Sequence, residues 1–209
     1  MVRNTDTPFI SLTHLNGNVM CAIDTATTGL QAGFHDLIRI CIMPLDSEFK
    51  PVPSHPPLEL DLIPKRKQNI DLKHPYISKM KIFEICQRGL DPDKTADFFG
   101  EWFDRLALPI GKKIVPLAYN WPHDRGFIID WLGWAEFERV FHGHYRDAMC
   151  AANYANDRSA FCAERPPYPK LGLSEICKAL GIERDRSHEP IQDCMSTAQA
   201  YRRMMKQLF

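Results

Sequence analysis

The run Val19-Met20-Cys21-Ala22-Ile23 is the strongest constraint in this 209-residue chain. Its consecutive apolar residues leave no wet side, and the turn residues Thr27-Thr28-Gly29 follow too soon for a helix. The segment therefore predicts a strand buried on both faces and ending at Asp24. Such a strand needs a layer of structure above it and another below. A second run, Leu37-Ile38-Arg39-Ile40-Cys41-Ile42-Met43, follows. Leu58-Glu59-Leu60-Asp61-Leu62 then alternates as an antiparallel strand near a sheet edge does. Three strands with short connections predict a meander. The prolines of Pro51-Val52-Pro53-Ser54-His55-Pro56-Pro57 exclude regular structure there and predict a stiff surface loop.

Helical spacing begins at Thr95, with Phe98, Phe99, Trp102, Phe103 and Leu106 on the core side. Ile114-Val115-Pro116-Leu117-Ala118-Tyr119 reads as a strand, but Pro116 cannot donate to a ladder. The reading therefore places this strand at an edge or at a local irregularity. Asp124 to Ala135 is helical, with Phe127, Ile128, Trp131 and Leu132 on one side. Leu173, Ile176, Cys177 and Leu180 make a short amphipathic helix stopped by Gly181. A last helix runs from Pro190 to Leu208, with Ile191, Met195, Ala198, Tyr201, Met205 and Leu208 as its buried stripe. Strands first, then strand–helix alternation, then helices predict an α/β three-layer domain.

Lys+Arg and Asp+Glu both number 26, so the formal net charge is zero, which excludes a polybasic protein holding nucleic acid by bulk charge. No apolar run approaches the ~18–20 residues of a membrane span. The N-terminus has no signal-peptide core. Seven cysteines without a CxxC pair fit a reducing, cytoplasmic setting. Charge is uneven locally: from Pro64 to Lys81, Lys65, Arg66, Lys67, Lys73, Lys79 and Lys81 stand against Asp71 alone. That stretch is either a solvated loop or a phosphate-tracking patch beside a site. His123, His142 and His144 offer a weak second metal pattern, with zinc as the candidate.

Three acidic residues occupy special places. Asp24 closes the first strand, Asp124 follows the fourth strand four residues after Asn120, and Asp193 lies in the first turn of the last helix, five after His188. Carboxylates converging from three rigid elements are what hard divalent cations require. Singly, each has a plain structural alternative: a turn cap for Asp24, a helix N-cap for Asp124, a dipole partner for Asp193.

The joint pattern resembles the DEDDh, DnaQ-like 3′→5′ exonucleases. Asp24-Thr25-Ala26-Thr27-Thr28-Gly29-Leu30 matches D-x-E-T-T-G-L except at Ala26. Asn120-Trp121-Pro122-His123-Asp124 matches N-x-x-x-D, and His188-Glu189-Pro190-Ile191-Gln192-Asp193 matches H-x-x-x-x-D. Asp147 resembles the acid that often opens the preceding helix. The resemblance implies a ribonuclease H-like, three-layer α/β fold: a five-stranded mixed sheet, antiparallel meander plus parallel strands, flanked by helices. It implies one domain over residues 1–209, core about 19–206, with a Pro-rich and basic insertion at about 51–81. It implies release of nucleoside monophosphates from 3′ ends of single-stranded DNA or RNA, with DNA taken ahead of RNA, and no membrane partner. Oligomeric state stays open, a homodimer included.

By the same resemblance, Asp24, Asp124, Asp193 and the family's Glu would hold two Mg²⁺ or Mn²⁺ ions, and His188 would accept the proton of the attacking water. Thr27 would meet the terminal 3′ hydroxyl and Leu30 would wedge against its base. Asn120 and Trp121 would line the pocket, Trp121 either stacking on a base or serving as a core aromatic. Ala26 stands where the family has Glu and carries no oxygen. Either an engineered Glu→Ala change or a natural binding-only relative accounts for it, and the intact Thr27-Thr28-Gly29-Leu30 flank favours the former. The alternative function is a non-catalytic nucleic-acid-binding protein on the same fold.

Overall fold

The doubly apolar run becomes the central strand of the sheet. In this computed structural model the structure describes residues 12–13, 15–71, 79–184 and 189–208. Strands β1 (Val19–Thr27), β2 (Leu37–Leu45), β3 (Leu58–Asp61), β4 (Ile114–Ala118) and β5 (Arg146–Asp147) form one mixed sheet in the order β3-β2-β1-β4-β5. The β1–β2 and β2–β3 pairs are antiparallel, and the β1–β4 and β4–β5 pairs are parallel. The helices are α1 (Lys79–Arg88), α2 (Pro92–Arg105), α3 (Trp121–Leu132), α4 (Trp134–Val140), α5 (Ala148–Phe161), α6 (Leu173–Ala179) and α7 (Pro190–Leu208).

Side chains alternate across a strand, so β1 feeds two cores. Val19, Cys21 and Ile23 pack with Phe99 of α2, Phe127 and Ile128 of α3, and Phe137 and Val140 of α4. Met20 and Ala22 face the other way, onto Ala148 and Ala152 of α5, Ile176 and Cys177 of α6, and Cys194 and Ala198 of α7. This is the three-layer α/β architecture that the run implied, with a five-stranded mixed sheet in the middle.

Several local expectations are corrected. β1 does not stop at Asp24. It continues to Thr27 because Thr25 and Ala26 still pair with Ile40 and Arg39 of β2, the register slipping only between Ala26 and Thr27. Helix α2 starts at Pro92, ahead of Thr95, because the Asp91 carboxylate accepts from the Asp93 N–H and proline suits the first turn. Phe98 points outward and is exposed, while Phe99 on the same helix is fully buried. Helix α3 starts at Trp121 and ends before Gly133, whose φ of 78° breaks it from α4. In α7 the buried positions include Cys194, Thr197, Ala198, Ala200, Tyr201 and Met204, whereas Ile191, Met195 and Met205 are half-buried and the side chain of Leu208 lies outside the described residues. The 3.6-residue period locates the stripe only to within one residue of the helical wheel. Helix α1 was not anticipated. Its Ile82 and Ile85 are buried with Ile38.

Pro116 lies inside the sheet, in register with Cys21. The Lys113 carbonyl accepts from Val19 on the β1 side, and the Ile114 carbonyl accepts from His142 on the β5 side. Backbone groups alternate along a strand, so the Pro116 nitrogen also faces β5. There β5 pairs only with Leu117 and Ala118, and the missing donor removes no bond to β1. The proline-rich loop is not wholly superficial either: Val52 is buried and its N–H donates to the Pro44 carbonyl.

The first two residues of the basic stretch are answered by acids brought from elsewhere. Arg66 pairs with Asp36 at 3.0 Å and with Asp130 at 2.8 Å, and Lys65 pairs with Asp93 at 3.0 Å. The sequence balance thus overstates the free positive charge at Lys65 and Arg66. Lys73 and the side chains of Lys79 and Lys81 lie outside the described residues.

Asp147 binds two helix starts into one unit. Its carboxylate accepts from the Met149 and Cys150 N–H groups at the start of α5, and from the Asn120 and Trp121 N–H groups at the start of α3. It is the acid the sequence placed at the opening of that helix. Asp147→Ala strands these donors in a buried setting. It is expected to cost about 2–4 kcal/mol, a lost cap plus unsatisfied N–H groups, read from urea denaturation; Asp147→Asn, which keeps an acceptor, is expected to cost less.

Candidate active site

The C-terminal half of β1, the start of α3 and the start of α7 meet at one cleft. Its volume is about 470 Å³, and its walls include Asp24, Ala26, Thr27, Leu30, Asn120, Arg184 and Asp193. That volume lies within the ~300–1,000 Å³ usual for small-ligand sites.

Each wall residue is placed by local structure. Asp24 and Ala26 are half-buried, two apart on the same strand and so on the same side of it. Behind Ala26 lies the small apolar cluster of Ile38, Ile82 and Ile85. Across the ladder stands Arg39, whose Nε donates to Asp61 at 2.5 Å and whose Nη1 reaches Glu189. Thr27 is buried, and its hydroxyl donates to the Gly29 carbonyl at 2.6 Å, closing the turn after β1. A Cβ on Gly29 would come within 2.2 Å of the His35 ring, so only glycine allows that approach. The turn leaves Leu30 at the cleft rim, 68% exposed, an unusual position for a large apolar side chain.

Asn120 precedes α3 with φ 65° and ψ 53°, a left-handed conformation that asparagine tolerates better than most residues. Its side chain makes no capping bond, so its amide is left to the cleft. Asp124 sits one turn into the helix, and Asn120 takes the N-cap position that was the plain alternative for it. Asp124 is 3% exposed and accepts from the Thr25 hydroxyl at 2.6 Å. Burial pushes its carboxyl up to about 7, against the lowering pull of that hydrogen bond. Burial, then the neighbouring Asp124 and Asp193 carboxylates, push Asp24 well above the ordinary carboxylate range, and Arg184 opposes them. The acids expected to converge are therefore electrostatic neighbours, although Asp124 stands behind Thr25 and not on the cleft wall.

Asp193, in the first turn of α7, is 9% exposed and ion-paired. Its Oδ1 accepts from Arg184 Nε at 3.1 Å and from Arg184 Nη2 at 2.5 Å. Arg184 Nη1 donates to the Ser174 hydroxyl at 2.5 Å, which ties the connector after α6 to both helices. His188 lies outside the described residues.

Trp121 is not on this cleft. Its indole is 2% exposed and lies 6.4 Å from Phe137, 6.2 Å from Phe141 and 6.3 Å from Tyr145. That is the core-aromatic alternative, since both faces are taken by protein. The three histidines do not assemble: His123 lines the cleft, while His142 and His144 pair with each other beside a separate pocket, rings 5.0 Å apart. The sequence motifs pass over several cleft residues, Tyr119 and Arg184 among them. Tyr119 presents a buried hydroxyl with no hydrogen-bond partner among the described residues. Arg184 gave no signal, because a search for ligands of a cation passes over a cation.

The donor set suits hard cations in kind, being all carboxylate oxygen. It falls short in number and arrangement. Ala26 supplies no oxygen, Asp193 carries Arg184, Asp124 carries Thr25, and among the described residues no three metal-binding side chains surround one point. These residues do not form a two-ion cage as they stand.

No known family's sequence profile matches the chain, and no curated protein matches it by sequence. Solved structures do match. The zinc-bound complex of E. coli exonuclease I with single-stranded DNA is 18% identical, with a TM-score of 0.69 over 91% of this chain and 41% of that one. E. coli exonuclease I with a dT13 oligonucleotide is 17% identical, with a TM-score of 0.68 over 91% and 42%. Exonuclease I from Methylocaldum szegediense is 17% identical, with a TM-score of 0.66 over 91% and 41%. This chain thus spans about two fifths of their length and shares the ribonuclease H-like fold of the part it matches. No helix among the described residues is long and apolar enough to cross a membrane.

Folded Asp124 holds its proton up to about pH 7, whereas an unfolded aspartate releases it near pH 4. Between those values the folded state binds more protons, so this group's contribution to stability falls as pH rises from about 4 to about 7 and is level above. Asp124→Asn lacks that term. In urea titrations with EDTA, its stability relative to the unsubstituted chain is expected to rise across this window.

Proposed function

We propose that this chain carries a 3′→5′ exonuclease-type site for the 3′ ends of single-stranded nucleic acid, DNA ahead of RNA, with its hydrolytic step crippled by Ala26. The observation that carries the reading is the cleft itself. Asp24 and Asp193 face it from a central strand and a helix start, Asp124 adds its field from a second helix start, and the exposed Leu30 stands at the rim. The shared fold with exonuclease I, described in complexes with single-stranded DNA and with zinc, supports the substrate class and a divalent requirement. The active unit would be the single domain from about 19 to 206, acting in the cytoplasm.

In this reading Leu30 wedges beneath the terminal base and Asn120 contacts the terminal nucleotide. The turn at Thr27 offers backbone groups to the 3′ hydroxyl, since the Thr27 hydroxyl is engaged with Gly29. His188 is the proposed proton acceptor. A glutamate at position 26 would restore the missing oxygen donor beside Asp24. Arg39, directly across the ladder, is already held by Asp61 and Glu189 and does not require that glutamate as a partner. Mg²⁺ or Mn²⁺ ions in the completed set would supply charge stabilisation at the scissile phosphate.

A second reading, binding without catalysis, is favoured by the Arg184 guanidinium on Asp193, which neutralises that carboxylate without a metal. It expects binding of a 3′-ended strand to persist in EDTA and to survive Asp193→Asn.

The deciding assay uses matched 3′-labelled DNA and RNA strands with the chain as it is and with Ala26→Glu. At millimolar Mg²⁺ the substituted chain is expected to release nucleotides about a hundredfold faster or more, since even outer partners of a metal site are worth ~10–100-fold. No release in Mg²⁺ or Mn²⁺ from either strand overturns the exonuclease reading.

A further inference from the structure

A guanidinium inside a carboxylate cleft needs a reason. The Arg184 side chain is 7% exposed and that of Asp193 is 12% exposed, so the pair is largely withdrawn from water. Burying either charge alone is costly, and each therefore holds the other in place. Two N–H groups converge on one oxygen, Asp193 Oδ1, at 3.1 and 2.5 Å, and a third N–H is fixed by Ser174. The positive charge also reaches Asp24, which it partly relieves of the repulsion from its neighbours. Arg184 thus does electrostatically what a bound cation would do in an acidic cleft.

We infer that Arg184 is a built-in counter-ion that competes with divalent cations for Asp193 and must swing away before an ion can bind there. The inference rests on the exonuclease-type reading of the cleft. A divalent ion needs to approach a carboxylate oxygen to about 2.0–2.1 Å (Mg²⁺), and an oxygen that already accepts two charged N–H groups gives it no such approach. Arg184 follows α6, and its guanidinium is held between Ser174 at the start of α6 and Asp193 at the start of α7. The geometry leaves Asp193 Oδ1 neutralised at rest and open to a metal only when the guanidinium is displaced.

The test measures Mn²⁺ binding by electron paramagnetic resonance without nucleic acid, so that catalysis does not enter. The proteins compared are Ala26→Glu, Ala26→Glu with Arg184→Met, and Ala26→Glu with Ser174→Ala. Melting curves in EDTA report folding. Methionine keeps the apolar stem and removes the charge, and it is expected to tighten Mn²⁺ binding about tenfold or more, within the ~10–100-fold that groups around a metal site command. Ser174→Ala loosens one of the Arg184 bonds and leaves the charge, so about a two- to threefold gain is expected on the same scale. It changes only an exposed side chain, and it decides the matter if the Arg184→Met protein fails to fold. Equal Mn²⁺ affinity with and without Arg184, or no gain from Ser174→Ala where that variant decides, overturns the inference alone. Absence of Mn²⁺ binding from every variant overturns it together with the exonuclease reading.

Discussion

Burial of β1 on both faces is the constraint on which the rest depends. Its alternate residues feed two separate cores, Val19, Cys21 and Ile23 toward α2, α3 and α4, and Met20 and Ala22 toward α5, α6 and α7. Because both layers are built against one strand, the ends of that strand, of α3 and of α7 are brought together. Asp24 arrives along β1, Asp124 from the layer on one face, and Asp193 from the layer on the other. The cleft is a consequence of packing the strand from two sides, and Asp147 keeps it in shape by joining the start of α3 to the start of α5.

Gathering carboxylates at such a junction creates an electrostatic problem, and the molecule meets it in several ways. Asp124 is withdrawn from water, stabilised by the Thr25 hydroxyl, and held protonated to about pH 7. Asp24 keeps its proton more tightly than an ordinary aspartate, first because it is withdrawn from water and then because Asp124 and Asp193 lie near it. Asp193 is neutralised by Arg184. Ala26, on the same side of β1 as Asp24, adds no carboxylate. Each solution lowers repulsion without a bound ion, and each also weakens the hold on one.

Much of this was legible from residue order. The three early strands, the fourth strand, the short amphipathic helix and the last helix follow from apolar periodicity; Asp24 and Asp193 stand out by their places at element ends, and Ala26, Thr27, Leu30 and Asn120, which also line the cleft, are pointed to by the resemblance. The misplacements share a cause. The extension of β1 to Thr27 depends on pairing with β2, and the neutralisation of Arg66 depends on Asp36 and Asp130, 30 and 64 positions away. The interior position of Pro116 depends on how short β5 is. Trp121 resembles a stacking residue until Phe137 and Phe141 are placed around it. None of these is a local property, so no window along the chain contains the information.

The sequence by itself determined a strand with two dry faces, hence three layers, and it determined which acids stand at the ends of rigid elements. It also determined that position 26 has no oxygen to offer. Only the tertiary structure decided the state of those acids, because a carboxylate's protonation and partners depend on what the fold brings within a few ångströms of it. It drew Arg184 out of a connector and onto Asp193, at a position where the sequence marked only carboxylates.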